Sequence, residues 1–329
     1  MKLIKFLGAF SSLLLLTACA TSPQQNNVSN EVEENLFTVG IIQQVEHHNL
    51  DATINGIKAS LEESDLNIVI DFQNAQGDTA TLSTIAQRFV NNDVDLIFAV
   101  ATAAAQAVAS ETDTIPIIGG SLTDFEVAGL VQSNEHPMFN ISGHSNRMPV
   151  FDQIEIITRF IPNLETLGIA FSSSEPNAVI QAQWAREAAM QLGIPNIEEA
   201  TITNINDLQQ VTTSLANRVD AIWIPNDNNF SNGITLVRQI SLETGTPFFP
   251  ASGNSVLVAG IATVSIDYFD LGVSTGEMGL EILLGEAEVS TMPVRFPDHF
   301  YFIVNGEMIE ELGLEVPEDF LQYVIFPND

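Results

Sequence analysis

Basic residues are scarce in this chain of 329 residues, and cysteine is scarcer still. Ten Lys+Arg face 42 Asp+Glu, a formal net charge of −32. Such a surface repels nucleic-acid phosphates and anionic lipid headgroups, so neither is an expected partner. The acids are spread along the chain and form no single block, which reads as adaptation of the whole surface to salty or alkaline surroundings. Cys19 is the one cysteine, which excludes intrachain disulfides, cysteine metal sites and thiol catalysis within the fold. No apolar run reaches the roughly 20 residues that a membrane span needs. There is no Walker loop, no Gly-x-Ser-x-Gly elbow and no Gly-x-Gly-x-x-Gly after a strand. The adjacent His47 and His48 point apart on any regular element, so a metal site from them alone is not expected. These absences argue against an enzyme and against a bound cofactor.

What is present begins at the N-terminus. Lys2 and Lys5 precede an apolar stretch over 6–16 that is too short to span a membrane. It ends in Leu16-Thr17-Ala18-Cys19, which resembles the lipobox of bacterial lipoproteins. The resemblance implies a signal peptide over 1–18, acylation of Cys19, and a chain anchored by lipid on the extracytoplasmic face of the cell membrane. Losing Lys2 and Lys5 takes the charge from −32 to about −34 and leaves Lys58 as the only lysine. Residues 19–36 are Ser, Pro, Gln, Asn and Glu with little to bury, and read as a flexible tether.

From Phe37 onward, short apolar runs alternate with amphipathic segments. Strands are expected at 37–42, 67–72, 95–100 and 115–118, with helices between them. Leu82, Ile85, Ala86, Phe89 and Val90 fit the helical template throughout. A second series follows, with strands at 166–171, 197–202, 220–224 and 247–250. A tail adds a strand at 262–266, a helix at 271–284, a strand at 299–304 and a short last helix. Alternation of this kind predicts α/β architecture with parallel sheets and right-handed crossovers. Two Rossmann-like lobes are expected, joined by about three crossovers near 143–149, 251–256 and 286–292. Lobe 1 would be 37–145 plus 256–288, and lobe 2 would be 146–255 plus 289–329.

Ligands of parallel α/β sheets sit beyond the carboxyl ends of strands, so the loops there are the ones to read. They are rich in Ser, Thr, Asn, Asp and Gly, and few of their residues form a nucleophile–base pair.

Several of these segments carry a family resemblance. They are Gln44-Val-Glu-His-His-Asn-Leu-Asp51, Asp71-Phe-Gln-Asn-Ala-Gln-Gly-Asp78, Ala101-Thr-Ala-Ala-Ala-Gln-Ala107, Thr123-Asp124 with Ala128-Gly-Leu-Val131, Ser173-Ser-Glu-Pro-Asn177, Ile224-Pro-Asn-Asp-Asn228 and Ile266-Asp-Tyr-Phe-Asp-Leu-Gly272. Together they resemble the tryptophan/tyrosine ABC-transporter substrate-binding lipoproteins, over about residues 37–315. The resemblance implies a type I periplasmic-binding-protein fold, a monomer, and delivery of a solute to an ABC permease and its ATPase. Gly119-Gly120, Phe125 and Ala251-Ser-Gly-Asn254 depart from the family pattern and are expected in the cleft.

An amino-acid ligand needs acceptors for its ammonium, and Asp124 and Asp227 stand on opposing lobes; each also suits a helix cap or turn. Its carboxylate needs donors, expected at the helix N-termini of 173–177 and 102–104. Thr123, Asn177 and Asn228 add side-chain hydrogen bonds. Further candidate contacts from the same loops are Glu46, Asn74, Thr102, Ala103, Ser173, Ser174, Asn226, Ser252, Asn254 and Asp267. Phe125 and Phe230 are candidates for an aromatic wall, or else lobe core. Competing readings are a receptor for a membrane signalling partner, a receptor for a sugar, nucleoside or other organic solute, and an enzyme on a Rossmann-like scaffold.

Overall fold

The computed structural model describes residues 36–327. The signal segment, Cys19 and the tether up to residue 35 lie outside the described residues.

The first sheet is parallel throughout, in the order β2-β1-β3-β4-β5. Its strands are β1 (Leu36–Gln43), β2 (Asn67–Asn74), β3 (Leu96–Val100), β4 (Ile117–Leu122) and β5 (Ile141–Ser145). Helices α1 (His48–Glu63), α2 (Thr79–Asn91) and α3 (Thr102–Ala109) make the connections. Leu82, Ile85, Ala86 and Phe89 of α2 are buried, as their spacing predicts.

The chain then passes to a second parallel sheet, ordered β7-β6-β8-β9. Its elements are α4 (Val150–Phe160), β6 (Thr166–Ser172), α5 (Pro176–Gln191), β7 (Asn196–Ile202), α6 (Leu208–Ala216), β8 (Ala221–Ile224), α7 (Asn228–Asn232), α8 (Ile234–Thr244) and β9 (Phe248–Pro250). After α9 (Gly253–Ala259), β10 (Ala262–Ser265) pairs antiparallel with β11 (Tyr301–Asn305), and β11 pairs with β12 (Val324–Ile325). α11 (Gly306–Leu312) follows β11. This small sheet shares one apolar core with α4, α5 and β6 through Val264, Val304, Met308 and Phe320.

Between β10 and β11 the chain returns to the first lobe as α10 (Tyr268–Leu283). α10 lies against α1 at backbone contact. A Cβ at Gly56 would stand 2.1 Å from the Phe269 carbonyl, and one at Gly272 the same 2.1 Å from that of Thr53. Only glycine permits this approach.

The strands expected from the sequence are all found, and four features differ. β5 reads Ile-Ser-Gly-His-Ser, with too few apolar residues to announce a strand, yet all five are buried. Gly119 and Gly120 lie inside β4, not in a loop beyond it. A Cβ at Gly119 would stand 2.7 Å from the Phe125 ring, so that ring fills the missing side chain's place within the lobe core. Residues 228–232 and 253–259 are short helices where loops were expected. The crossings also fall elsewhere. α9 hydrogen-bonds into the second lobe through Asn305, whose amide donates to the Val256 carbonyl. The second crossing therefore comes after β10, at 266–267. The third comes after Arg295, which still bridges His144 of β5. The first crossing is at 146–149, between β5 and α4.

A candidate cleft between the two lobes

The cleft is walled by the carboxyl ends of both parallel sheets and is narrow, about 310 Å³ between atom surfaces with the open solvent at its mouth included. Its first-lobe wall starts where β1 gives way to α1. Gln43 is buried and holds this turn from below: its amide donates to Asp51 at 2.6 Å and its oxygen accepts from Asn74 at 3.0 Å. His47 is the N-cap residue of α1, yet no side chain caps that helix, so its first N–H groups stay open toward the cleft. α3 also begins without a side-chain cap. Its N-cap residue, Ala101, has φ 84° and ψ 156°, a conformation that glycine tolerates and alanine resists. Ser121, with φ 58°, lies beside it and shares a hydrogen bond of 2.7 Å with Thr53. Strain at two adjoining positions of one wall marks a surface kept in shape by its surroundings.

The second-lobe wall is built on two buried carboxyls. Asp227 takes hydrogen bonds from the Ser172 N–H at 2.6 Å, the Ser172 hydroxyl at 2.9 Å and the Phe230 N–H at 3.0 Å. It thereby caps α7 and ties it to β6. Glu175 accepts from the backbone and side-chain amides of both Asn228 and Asn229. Burial, together with the Asp227 carboxylate beside it, pushes Glu175 up to about 8. Burial likewise raises Asp227.

Asn226 is the contact point of the three parts. Its oxygen accepts from the Tyr268 hydroxyl at 3.0 Å, its N–H donates to Gln181 at 3.2 Å, and its carbonyl accepts from Asn177 at 2.8 Å. The side-chain N–H₂ of Asn226 is buried and has no partner among the described residues. His47 is the other open group. Asn228 turns its amide nitrogen to Glu175, so its oxygen faces His47 Nε2 at 2.9 Å. That arrangement puts the ring proton on Nε2 and leaves Nδ1 a bare acceptor without a partner. Burial lowers the His47 pKa, which keeps the ring neutral near pH 7.

Three hydrogen bonds cross the cleft: His47 to Asn228, Asn254 to Asn49 at 3.0 Å, and Tyr268 to Asn226. A fourth joins Gln181 of α5 to Thr123 at 3.1 Å, and Thr123 in turn donates to Asn146.

Of the residues proposed from sequence, the structure brings Thr102, Asn177, Asn226, Asp227 and Asn228 together in the cleft. Ala103 is on the next turn position of α3, and Asn254 reaches the wall through Asn49. Glu46 is exposed at the mouth. Asn74 shapes the turn under His47, and Thr123 sits at the first crossing. Ser173 and Ser174 bond to carbonyls at the end of β7 and just beyond it. Ser252 caps α9, and Asp267 caps α10.

Three expectations are corrected. Asp124 caps a turn at Glu126 and Val127, pairs with Arg147 at 3.3 Å, and lies outside the cleft lining. Phe125 and Phe230 are fully buried in the cores of their own lobes and form no wall. Gly119 and Gly120 are strand interior. The residues that sequence reading missed include Asn49, Ser121, Asn146 and Tyr268. Tyr268 and Asn49 stood within the quoted motifs; Asn146 follows the unread strand β5.

A family model described as ABC transporter substrate binding protein matches residues 38–325. A tyrosine-binding protein of Clostridioides difficile (strain R20291) is 33% identical over 322 residues, 94% of this chain and 92% of that protein. The ABC domain from Streptococcus pneumoniae in complex with L-Trp is 34% identical and superposes with a TM-score of 0.85, over 88% of this chain and 100% of that one. The ligand-free, open structure of a substrate-binding protein with adhesive properties from Clostridium difficile is 36% identical, with a TM-score of 0.67 over 88% and 99%. At nearly equal identity the L-Trp complex superposes far better than the open form. The hydrogen bonds across the cleft agree: the lobes here are closed.

Proposed function

The chain belongs to the family of ABC transporter substrate-binding proteins, and from that premise we propose that it is the lipid-anchored, extracytoplasmic receptor of an importer for an aromatic amino acid. The observation that carries this reading is the opposed polarity of the cleft walls. On one side are the open N-termini of α1 and α3, the positive ends of their helices, which suit a carboxylate. On the other are Glu175 and Asp227 behind a screen of asparagines; burial raises both acids, so this wall offers an ammonium polar acceptor groups and no fixed negative charge. The free Asn226 N–H₂ and His47 Nδ1 supply one donor and one acceptor. Leu50 and the rings of His47 and Tyr268 offer the surface for an aromatic side chain. Relatives that bind tyrosine and L-Trp support the substrate class.

In this reading, Cys19 holds the receptor to the membrane beside a permease and its ATPase. A ligand bridging both walls draws the lobes together about the crossings. A binding partner of the folded state raises the melting temperature, so tryptophan, tyrosine and phenylalanine should each be screened by thermal shift. Stabilisation by at least one is the expected result. No response to any of the three, with the protein folded, would sink the substrate class and leave the family untouched.

The amide-rich lining favours one alternative, a polyhydroxylated solute. Sugars and nucleosides in the same screen separate the two readings.

A further inference from the structure

A second cavity opens where the chain crosses between the lobes, and it shares no lining residue with the cleft. It contains about 1210 Å³ between atom surfaces, its open mouth included. The two crossing segments, around 266–270 and 295–301, form its sides.

Its lining is unusual for an exposed surface. Phe296, Phe300 and Tyr301 are 41%, 44% and 40% exposed, so three aromatic rings stand half in solvent around one hollow. Between them stand Asp267, Asp270 and Asp298. Asp267 spends one oxygen on capping α10, and the carboxylate of Asp270 has no partner among the described residues. The one arginine here, Arg295, is already committed: it donates to Glu281 at 2.6 Å and lies 3.8 Å from Glu277. Arg295 is therefore not free to hold an anion, and His299 of the same lining stands 3.7 Å from Asp298. His144 lines the same cavity and is nine-tenths buried, and neither of its ring nitrogens meets a hydrogen-bond partner of good geometry. Burial lowers its pKa, so it presents a neutral ring.

Open carboxylates attract a cation, and the faces of aromatic rings attract one that has shed its water. A metal ion gives up its water only to a set of ligating side chains, and no cluster of these occurs among the described residues. An organic ammonium suits both carboxylates and rings, since its charge is spread over an apolar shell. We propose that this cavity is a second small-molecule site, selective for an organic ammonium ion and separate from the interlobe cleft.

Choline and its uncharged isostere 3,3-dimethylbutan-1-ol are the probes, titrated calorimetrically into the full mature chain at ~0.15 M salt, where diffuse attraction to the acidic surface is screened. Choline should bind saturably with one site per chain, and the isostere should not. The double variant Asp270→Asn, Phe296→Ser should weaken choline by about tenfold or more, the loss of one open carboxylate and one ring. Asp270→Asn alone, at an exposed carboxylate, keeps the test decisive where the double variant is unstable. Equal binding of choline and isostere, unsaturable binding, or full affinity in the variants overturns the proposal. None of these outcomes depends on which ligand the cleft takes.

Discussion

On the first-lobe side of the cleft, α1 and α3 begin without side-chain caps, and Ala101 and Ser121 hold positive φ. On the second-lobe side, α7 begins under Asp227, and Glu175 takes four amide hydrogens. One wall leaves its donors open and stores backbone strain. The other satisfies its polar groups from within, save the Asn226 amide. A binding surface thus divides its tasks: a self-sufficient half keeps its shape, and an incomplete half is finished by what it binds.

Four experiments break or sharpen that contrast. The largest effect falls on what lies beneath the second wall. Phe230→Ala empties a fully buried ring position in the core that supports α7, and should cost about 3–5 kcal/mol in urea unfolding. Below the unfolding transition its ligand affinity should stay close to the parent's, because the ring does not line the cleft. A large loss of affinity in folded Phe230→Ala would restore it to the aromatic wall. Asp227→Ala comes next. It strips three hydrogen bonds, one of them the cap of α7, about 3 kcal/mol of stability, and the loss should appear whether or not ligand is present.

The pH dependence of stability sharpens the contrast further. Glu175 titrates at 4.5 in its ordinary state and at about 8 when folded. Between those values the native chain binds more protons than the unfolded one, so stability falls as pH rises from 4.5 to about 8. His47 acts with the opposite sign. Its folded pKa lies below 6.5, so its share of stability is lost as pH falls below 6.5. In His47→Ala the fall in melting temperature above pH 4.5 should steepen; an unchanged profile would remove His47 from the account. The smallest stability effect belongs to the first wall. Ala101→Gly relieves strained backbone and should stabilise by roughly 1 kcal/mol net of glycine's greater freedom when unfolded. No gain would mean that the wall is not strained.

Much of the fold was legible because buried parallel strands and amphipathic helices leave periodic traces. β3 and β8 are wholly apolar, β1 is largely so, and α2 repeats its apolar face from Leu82 to Phe89. β5 left no such trace: Ser142 and Ser145 are buried by bonding to carbonyls of Met292 and Thr123, which compensates for their polarity from a distance. Gly119 looked like a loop residue because the ring that fills its place, Phe125, comes from six positions later. For the cleft, the sequence located the loops but not the partners. Asp227 was expected as an acceptor for a ligand ammonium or as a helix cap; it caps α7, and its oxygens are turned inward to Ser172 and Phe230, 55 and three residues away. His47 was set aside as half of an unpromising pair, and its significance comes from Asn228, 181 positions along the chain. Contacts of that range have no local signature.

The two hydrogen bonds that span the mouth, His47 to Asn228 and Asn49 to Asn254, also set an equilibrium. Each contributes about 1 kcal/mol against the freedom lost when the lobes stop moving, so neither lobe arrangement is overwhelmingly preferred without cargo. Only the closed fraction is competent to hold a ligand on both sides, and the apparent dissociation constant is the intrinsic one divided by that fraction. Deleting one spanning bond therefore weakens binding by up to about fivefold, whereas adding one strengthens it only by what the closed fraction has left to rise. The asparagines at the rim therefore bear on affinity through the lobe equilibrium as well as through the lining they form.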